Sequence, residues 1–177
     1  EMPSVLVLTD GVVEAVGPGG RREIAATDFF LGPLETTLAE DELVEAVRFT
    51  RFGPGTRTAF LESSRRHGDY ALAGVAVAVD VADGVVVSAR AGFVSVTPVP
   101  LVLDLTPVLR GRDAGAPVPD EVTDAVREFV DPEGDIHATA DYRRMLAAEL
   151  TRRALATATH PTPAADPAPT TAQESVA

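Results

Sequence analysis

Between Ala71 and Val96 two long apolar runs flank Asp83-Gly84, and no other stretch constrains the fold as strongly. Side chains alternate across a strand, so Val75, Val77, Val79 and Val81 share one face. Asp-Gly is a two-residue hairpin signal, because the favoured turn needs positive φ at both central positions. Val85 to Val96 therefore returns antiparallel, with Val85, Val87, Ala89, Ala91 and Phe93 expected on one face. Thr58 to Arg66 reads as a third strand. The expectation is a three-stranded antiparallel meander.

Helical spacing follows. Asp120 to Val130 places Val122, Ala125, Val126, Phe129 and Val130 on one stripe. Asp120 and Glu121 suit its first turn, and Asp131-Pro132 stops it. Thr139 can cap a further helix. There Tyr142, Leu146, Leu150 and Ala154 are expected inward, with Arg143, Arg144, Arg152 and Arg153 mostly outside. A shorter helix is expected over Leu101 to Leu109, closed by Gly111. Strands and helices in separate blocks give an α+β fold with helices covering one sheet face.

The preceding residues read as a short helix and then strands. Val12 to Val16 and Arg21 to Ala25 flank the turn Gly17-Pro18-Gly19-Gly20, and Val44 to Phe52 is another strand. Phe52-Gly53-Pro54-Gly55 marks a boundary, giving regions 1–53 and 54–156. From Thr157 onward the Thr/Pro/Ala-rich composition is expected to be disordered.

Composition narrows the function classes. A chain of 177 residues with 45% hydrophobic content can bury a core. Lys is absent, all fifteen basic residues are Arg, and the net charge is −12. That balance argues against nucleic acid and anionic membranes as partners, since both require a basic footprint. The absence of cysteine excludes thiolate nucleophiles and any iron–sulfur cluster held by this chain. With no signal-peptide pattern and no apolar run of spanning length, a cytoplasmic location is the default. No nucleophile–base spacing, phosphate loop or metal-ligand cluster is present, so catalytic and metal residues are expected to be none. Glu1 is expected to lie inside a longer domain.

The one candidate site is a corner. Gly68 tolerates positive φ and Asp69 can bond its own backbone, so the two turn the chain and present Tyr70 at a strand end. From residue chemistry alone Tyr70 is either an aromatic ligand contact or an ordinary strand-end tyrosine with its hydroxyl in water. Arg65 and Arg66 are adjacent and point to opposite faces, so at most one serves a site.

Phe60 to Ala76, centred on Arg66-His67-Gly68-Asp69-Tyr70-Ala71, resembles a segment of the FAD-carrying medium subunit of molybdenum hydroxylases. That family contains the CO, xanthine and aromatic-heterocycle dehydrogenases. Three further blocks are similar to it: Glu1 to Leu6 with Arg21 to Pro33; Leu38 to Phe49 with Glu42-Leu43-Val44; and Asp135 to Arg144 with its Tyr-Arg pair. The resemblance implies that residues 1–53 are the remainder of a PCMH-type FAD-binding domain. Residues 54–156 would then be a CO dehydrogenase flavoprotein C-terminal-like domain closing over the isoalloxazine.

The implied cofactor is FAD, contacted by Tyr70, Asp69, Gly68, Leu61 and Val44. For Leu43 and Val44 a plain core role is equally open. The family often carries a lysine near Leu61 or Glu62, and this sequence has none. A cation there would stabilise negative charge on reduced flavin, and Glu62 would oppose it. The family's two glycine-rich pyrophosphate loops also lie outside these residues. The implied partners are a large molybdopterin subunit, a small subunit with two [2Fe–2S] clusters, and an upstream FAD-binding half. The competing reading is a subunit-packing module, or a truncated paralogue, that does not bind FAD alone.

Overall fold

The computed structural model describes residues 1–66 and 68–160. His67 and residues 161–177 lie outside it, and with them most of the expected tail. The first region comprises α1 (Met2–Leu8), β1 (Val12–Gly17), β2 (Gly20–Ala25), α2 (Ala26–Phe29), β3 (Phe30–Gly32), β4 (Glu35–Thr36) and β5 (Leu43–Arg48). β1 and β2 form the expected hairpin, with Gly20 at φ 107°, and β5 joins the other side of β1 to give the order β2-β1-β5. One face carries Val13, Ala15 and Ile24 against Leu6, Val7, Ala26 and Phe29. The opposite face is charged, with Arg48 pairing to Glu14 and, at 2.9 Å, to Glu23.

The second region holds β6 (Thr56–Ser63), β7 (Ala73–Ala82), β8 (Val85–Val94), β9 (Val102–Asp104), α3 (Thr106–Leu109), α4 (Asp120–Phe129) and α5 (Ala140–Thr159). The sheet order is β6-β7-β8-β9, all antiparallel. Asp83 and Gly84 have φ of 51° and 78°, the pair of positive values that the hairpin signal demands. Val75, Val77 and Val79 are fully buried with Ala89, Ala91 and Phe93, and α4 and α5 close the core through Val122, Val126, Ala147, Ala154 and Leu155.

Four expectations are corrected. The meander gains a fourth strand: Leu101 to Leu109 is not one helix but β9 followed by the single turn α3. Val102, Leu103 and Asp104 pair with Gly92, Ala91 and Arg90 on the free edge of β8. A Pro suits the first turn, so the helix starts only at Thr106, whose N–H donates to Asp104 Oδ1 at 2.9 Å. On β8, Val85 and Val87 are exposed and Val86 is buried. The pairs Asp80–Ser88 and Val81–Val86 leave Val87 as the extra residue of a bulge, which flips the alternation.

On α5 the buried stripe runs through Arg143, Ala147, Thr151, Ala154, Leu155 and Ala158, while Tyr142 is 44% exposed. Leu150 and Ala154 are buried and Leu146 packs on the core as expected; the departure is confined to the helix start, where Arg143 takes the inward position in place of Tyr142. Thr139 does cap the helix, accepting from the Tyr142 N–H at 3.2 Å, and the helix runs on to Thr159. Helices also cover both sheet faces near β7 and β8. α1 lies on the back of the second sheet, with Leu8 against Ala76 and Ala78. Ser4 Oγ donates to the Phe93 carbonyl at 2.5 Å. A Cβ at Gly92 would stand 3.2 Å from the Ser4 carbonyl oxygen and 3.3 Å from the Leu8 Cβ, a tight fit that glycine relieves.

Candidate functional site

The corner between β6 and β7 is closed by its own backbone. The Leu72 N–H donates to the Ser63 carbonyl at 2.7 Å, and the Asp69 N–H to the Arg66 carbonyl at 3.1 Å. Gly68 sits at φ 83°, the left-handed region that favours glycine. Asp69 Oδ1 accepts from the Tyr70 N–H at 3.1 Å. The turn chemistry thus works as the sequence implied, and it leaves Tyr70 95% exposed.

Tyr70 and Asp69 line an open cleft of about 390 Å³ with Arg65, Ser95, His137 and Arg143. The floor is held by Arg143, whose guanidinium donates to the carbonyls of Leu72 (2.6 Å) and Ser95 (3.3 Å) and to Asp135 Oδ2 (2.7 Å). Asp135 Oδ1 in turn accepts from the His137 and Ala138 N–H groups at 2.8 and 2.9 Å. Those two backbone donors, and then Arg143, hold the Asp135 carboxyl at about 2, below the usual carboxylate range.

Gly68, Asp69 and Tyr70 therefore come together in one turn. Leu61 lies in β6, opposite Val75 and half-buried against the main core. Val44 lies in the other sheet, opposite Ala15, and is 45% exposed; it lines no part of the Tyr70 cleft. A separate apolar groove of about 490 Å³ runs between α1 and the outer face of β6, lined by Met2, Val5, Leu8, Phe52 and Phe60. The sequence reading missed Arg143 and Asp135 as members of the corner. Asp135 had a usable signal, an aspartate two and three residues before backbone donors at a helix entry. Arg143 was marked only by the Tyr-Arg pair of the resemblance, since two of its three partners lie 71 and 48 residues away.

Residues 58–158 match the family described as the CO dehydrogenase flavoprotein C-terminal domain. The chain belongs to this family. It is 35% identical over 156 residues to the nicotine 6-hydroxylase medium subunit of Paenarthrobacter nicotinovorans, covering 88% of this chain and 54% of that protein. It is 30% identical over 154 residues to the carbon monoxide dehydrogenase medium chain of Hydrogenophaga pseudoflava, covering 86% and 54%. Among solved structures, the reconstituted CO dehydrogenase from Oligotropha carboxidovorans superposes with a TM-score of 0.81 at 30% identity. That superposition covers 90% of this chain and 56% of the other. Quinoline 2-oxidoreductase from Pseudomonas putida 86 gives a TM-score of 0.78 at 27% identity, covering 90% and 55%. The chain spans about half the length of the curated relatives it matches, and these relatives are subunits of oxidoreductases. Among the described residues, no helix is long and apolar enough to cross a membrane.

Proposed function

We propose that this chain is part of the FAD-containing electron-transfer subunit of a molybdenum hydroxylase, and that its corner contacts the isoalloxazine. In the complete assembly, electrons would pass from [2Fe–2S] clusters in a small subunit through FAD to an external acceptor. A large molybdopterin subunit would carry substrate chemistry, and the whole would reside in the cytoplasm. The observation that carries the reading is Tyr70. A large aromatic ring stands 95% exposed on a backbone-bonded corner at the mouth of a cleft, where the face of a flat ligand ring can stack on it.

The residues fit one half of the cofactor. Tyr70 offers a ring face and Gly68 and Asp69 offer backbone beside it, whereas Leu61, packed against the core, and Val44, in the other sheet, lie outside that cleft and would reach the ring only from its edges. The pyrophosphate needs converging N–H donors, which the family resemblance assigns to two glycine-rich loops outside residues 1–177. FAD supplies two-step redox chemistry when bound. This chain's part is to position the ring and set its surroundings. Leu61 and Glu62 stand where the family often carries a lysine, so that particular cation is missing, and the positive charge at the corner comes from Arg65 and Arg143, which line the cleft.

The test is a visible spectrum, recorded for residues 1–177 alone and together with the upstream half. The chain alone should elute colourless from gel filtration, and the combined protein should carry flavin. A colourless combination would favour the packing-module reading, and a stoichiometric yellow protein from residues 1–177 alone would overturn the assignment of the phosphate loops.

A further inference from the structure

We propose that Arg143 is the positioning residue of the corner: it sets where Tyr70 stands by clamping three loops that meet beneath it. The inference rests on the flavin reading of Tyr70 above. Three observations carry it. The Arg143 side chain is only 9% exposed and stands on the buried stripe of α5. Its guanidinium reaches three separate segments: Leu72 just after the corner, Ser95 at the end of β8, and Asp135 in the loop before α5. All three of those residues also line the Tyr70 cleft.

The geometry explains why an arginine is needed. A lysine is a point charge on a flexible stem, whereas the planar fork can donate to two carbonyls and a carboxylate at fixed angles. Asp135 is not a free acid in this arrangement. Its second oxygen is already bonded to two backbone N–H groups, so it passes the position of the 135–138 loop to the guanidinium. Ser95 adopts φ 61°, a left-handed value unusual for a residue with a Cβ. That conformation turns its carbonyl into the clamp. Leu72 is the remaining contact and the one that matters for Tyr70. Its N–H is fixed by Ser63 and its carbonyl by Arg143, which leaves the residues just ahead of it little freedom to tilt.

The test has two stages. In residues 1–177, hydrogen exchange is measured at Leu72, His137 and Ala138 for Arg143→Met, Arg143→Lys and Asp135→Asn, with Arg152→Met as the control on the same helix. Arg152 pairs with Glu149 on the helix surface and touches no part of the cleft. Exchange at Leu72 should rise about tenfold or more in both Arg143 variants, the factor carried by one lost hydrogen bond to a charged group. The control should stay unchanged. Asp135→Asn keeps the buried arginine, so it provides the reading if Arg143→Met fails to fold, and it should loosen Leu72 to a smaller extent. Unchanged exchange at Leu72 in the folded variants would overturn the proposal.

The second stage uses the flavin-loaded combination with the upstream half. Arg143→Lys should raise flavin fluorescence in the Tyr70 protein and have no further effect in a Tyr70→Ala background. A merely structural arginine would give the same change in both backgrounds, and that result would also overturn the proposal. If Tyr70→Ala itself leaves fluorescence unchanged, the flavin reading fails, and the exchange data still report whether Arg143 fixes the corner.

Discussion

The two sheets of this molecule are finished to different degrees. In the second, β7 is covered on both sides, by α5 on one face and by α1 on the other, and Val75, Val77 and Val79 are fully buried. In the first, the same apolar face is closed over β1 and β2 and then left open. Val13 and Ala15 are inaccessible, yet their partners across the ladder, Val47 and Val44, are 47% and 45% exposed. Every residue of β5 is exposed. A covered sheet carries its own stability, whereas an apolar face that outruns its cover awaits another surface. The open side of β5 includes Val44, one of the residues proposed to meet the flavin.

Mutations can break or sharpen this contrast. The largest effect is expected at Leu155, fully buried between α5 and the second sheet. Leu155→Ala should lower unfolding stability by about 2–5 kcal/mol in denaturant titrations. Tyr70→Ala should leave that stability unchanged while weakening FAD in the flavin-loaded combination by about 0.5–1.5 kcal/mol, read by flavin fluorescence titration. Val47→Ala should cost less than about 0.5 kcal/mol in residues 1–177. A larger loss in the combination with the upstream half would identify β5 as a covered surface there, and an equal cost in the two forms would erase the contrast. Tyr142→Ala should be nearly silent in every assay, because Tyr142 lies on the outside of α5.

Acid provides a further test. The Asp135 carboxyl has its folded value lowered to about 2 from an unfolded value near 3.9. Its contribution is therefore present above about pH 4 and is lost as pH falls through about 2. Asp135→Asn should flatten the pH dependence of thermal unfolding in that window and leave it unchanged near neutrality in slope. A variant as acid-sensitive as the parent would show that the clamp carboxylate is not linked to folding.

The sequence exposed this architecture unevenly, for physical reasons. The β7–β8 hairpin was legible because alternation and Asp83-Gly84 agree, and α4 was legible because its stripe is purely apolar. The bulge at Val87 was not, since one inserted residue among valines changes no composition. Nor was β9, whose strand character comes from pairing with β8 and not from its own residues. At the corner, Gly68 and Asp69 declared the turn through local chemistry. Arg143 stayed hidden because two of the three groups that justify burying it are carbonyls distant in the chain. A hydrophobic pattern therefore assigns it to solvent and its neighbour Tyr142 to the core, the reverse of what the fold does.

α1 has a consequence for how such subunits can be recombined. Its Leu8 and Ser4 are seated on a strip of Ala76, Ala78 and Gly92, so the glycine-proline linker at Gly53 separates two stretches of sequence without separating two bodies. A chimera joined there would inherit a helix from one parent and its seat from another. Shape mismatch would then appear as a methyl group too many on β7 or β8. Exchange between relatives should succeed only when Met2–Leu8 travels with residues 54–160, which makes the helix, by packing, a part of the domain that follows it.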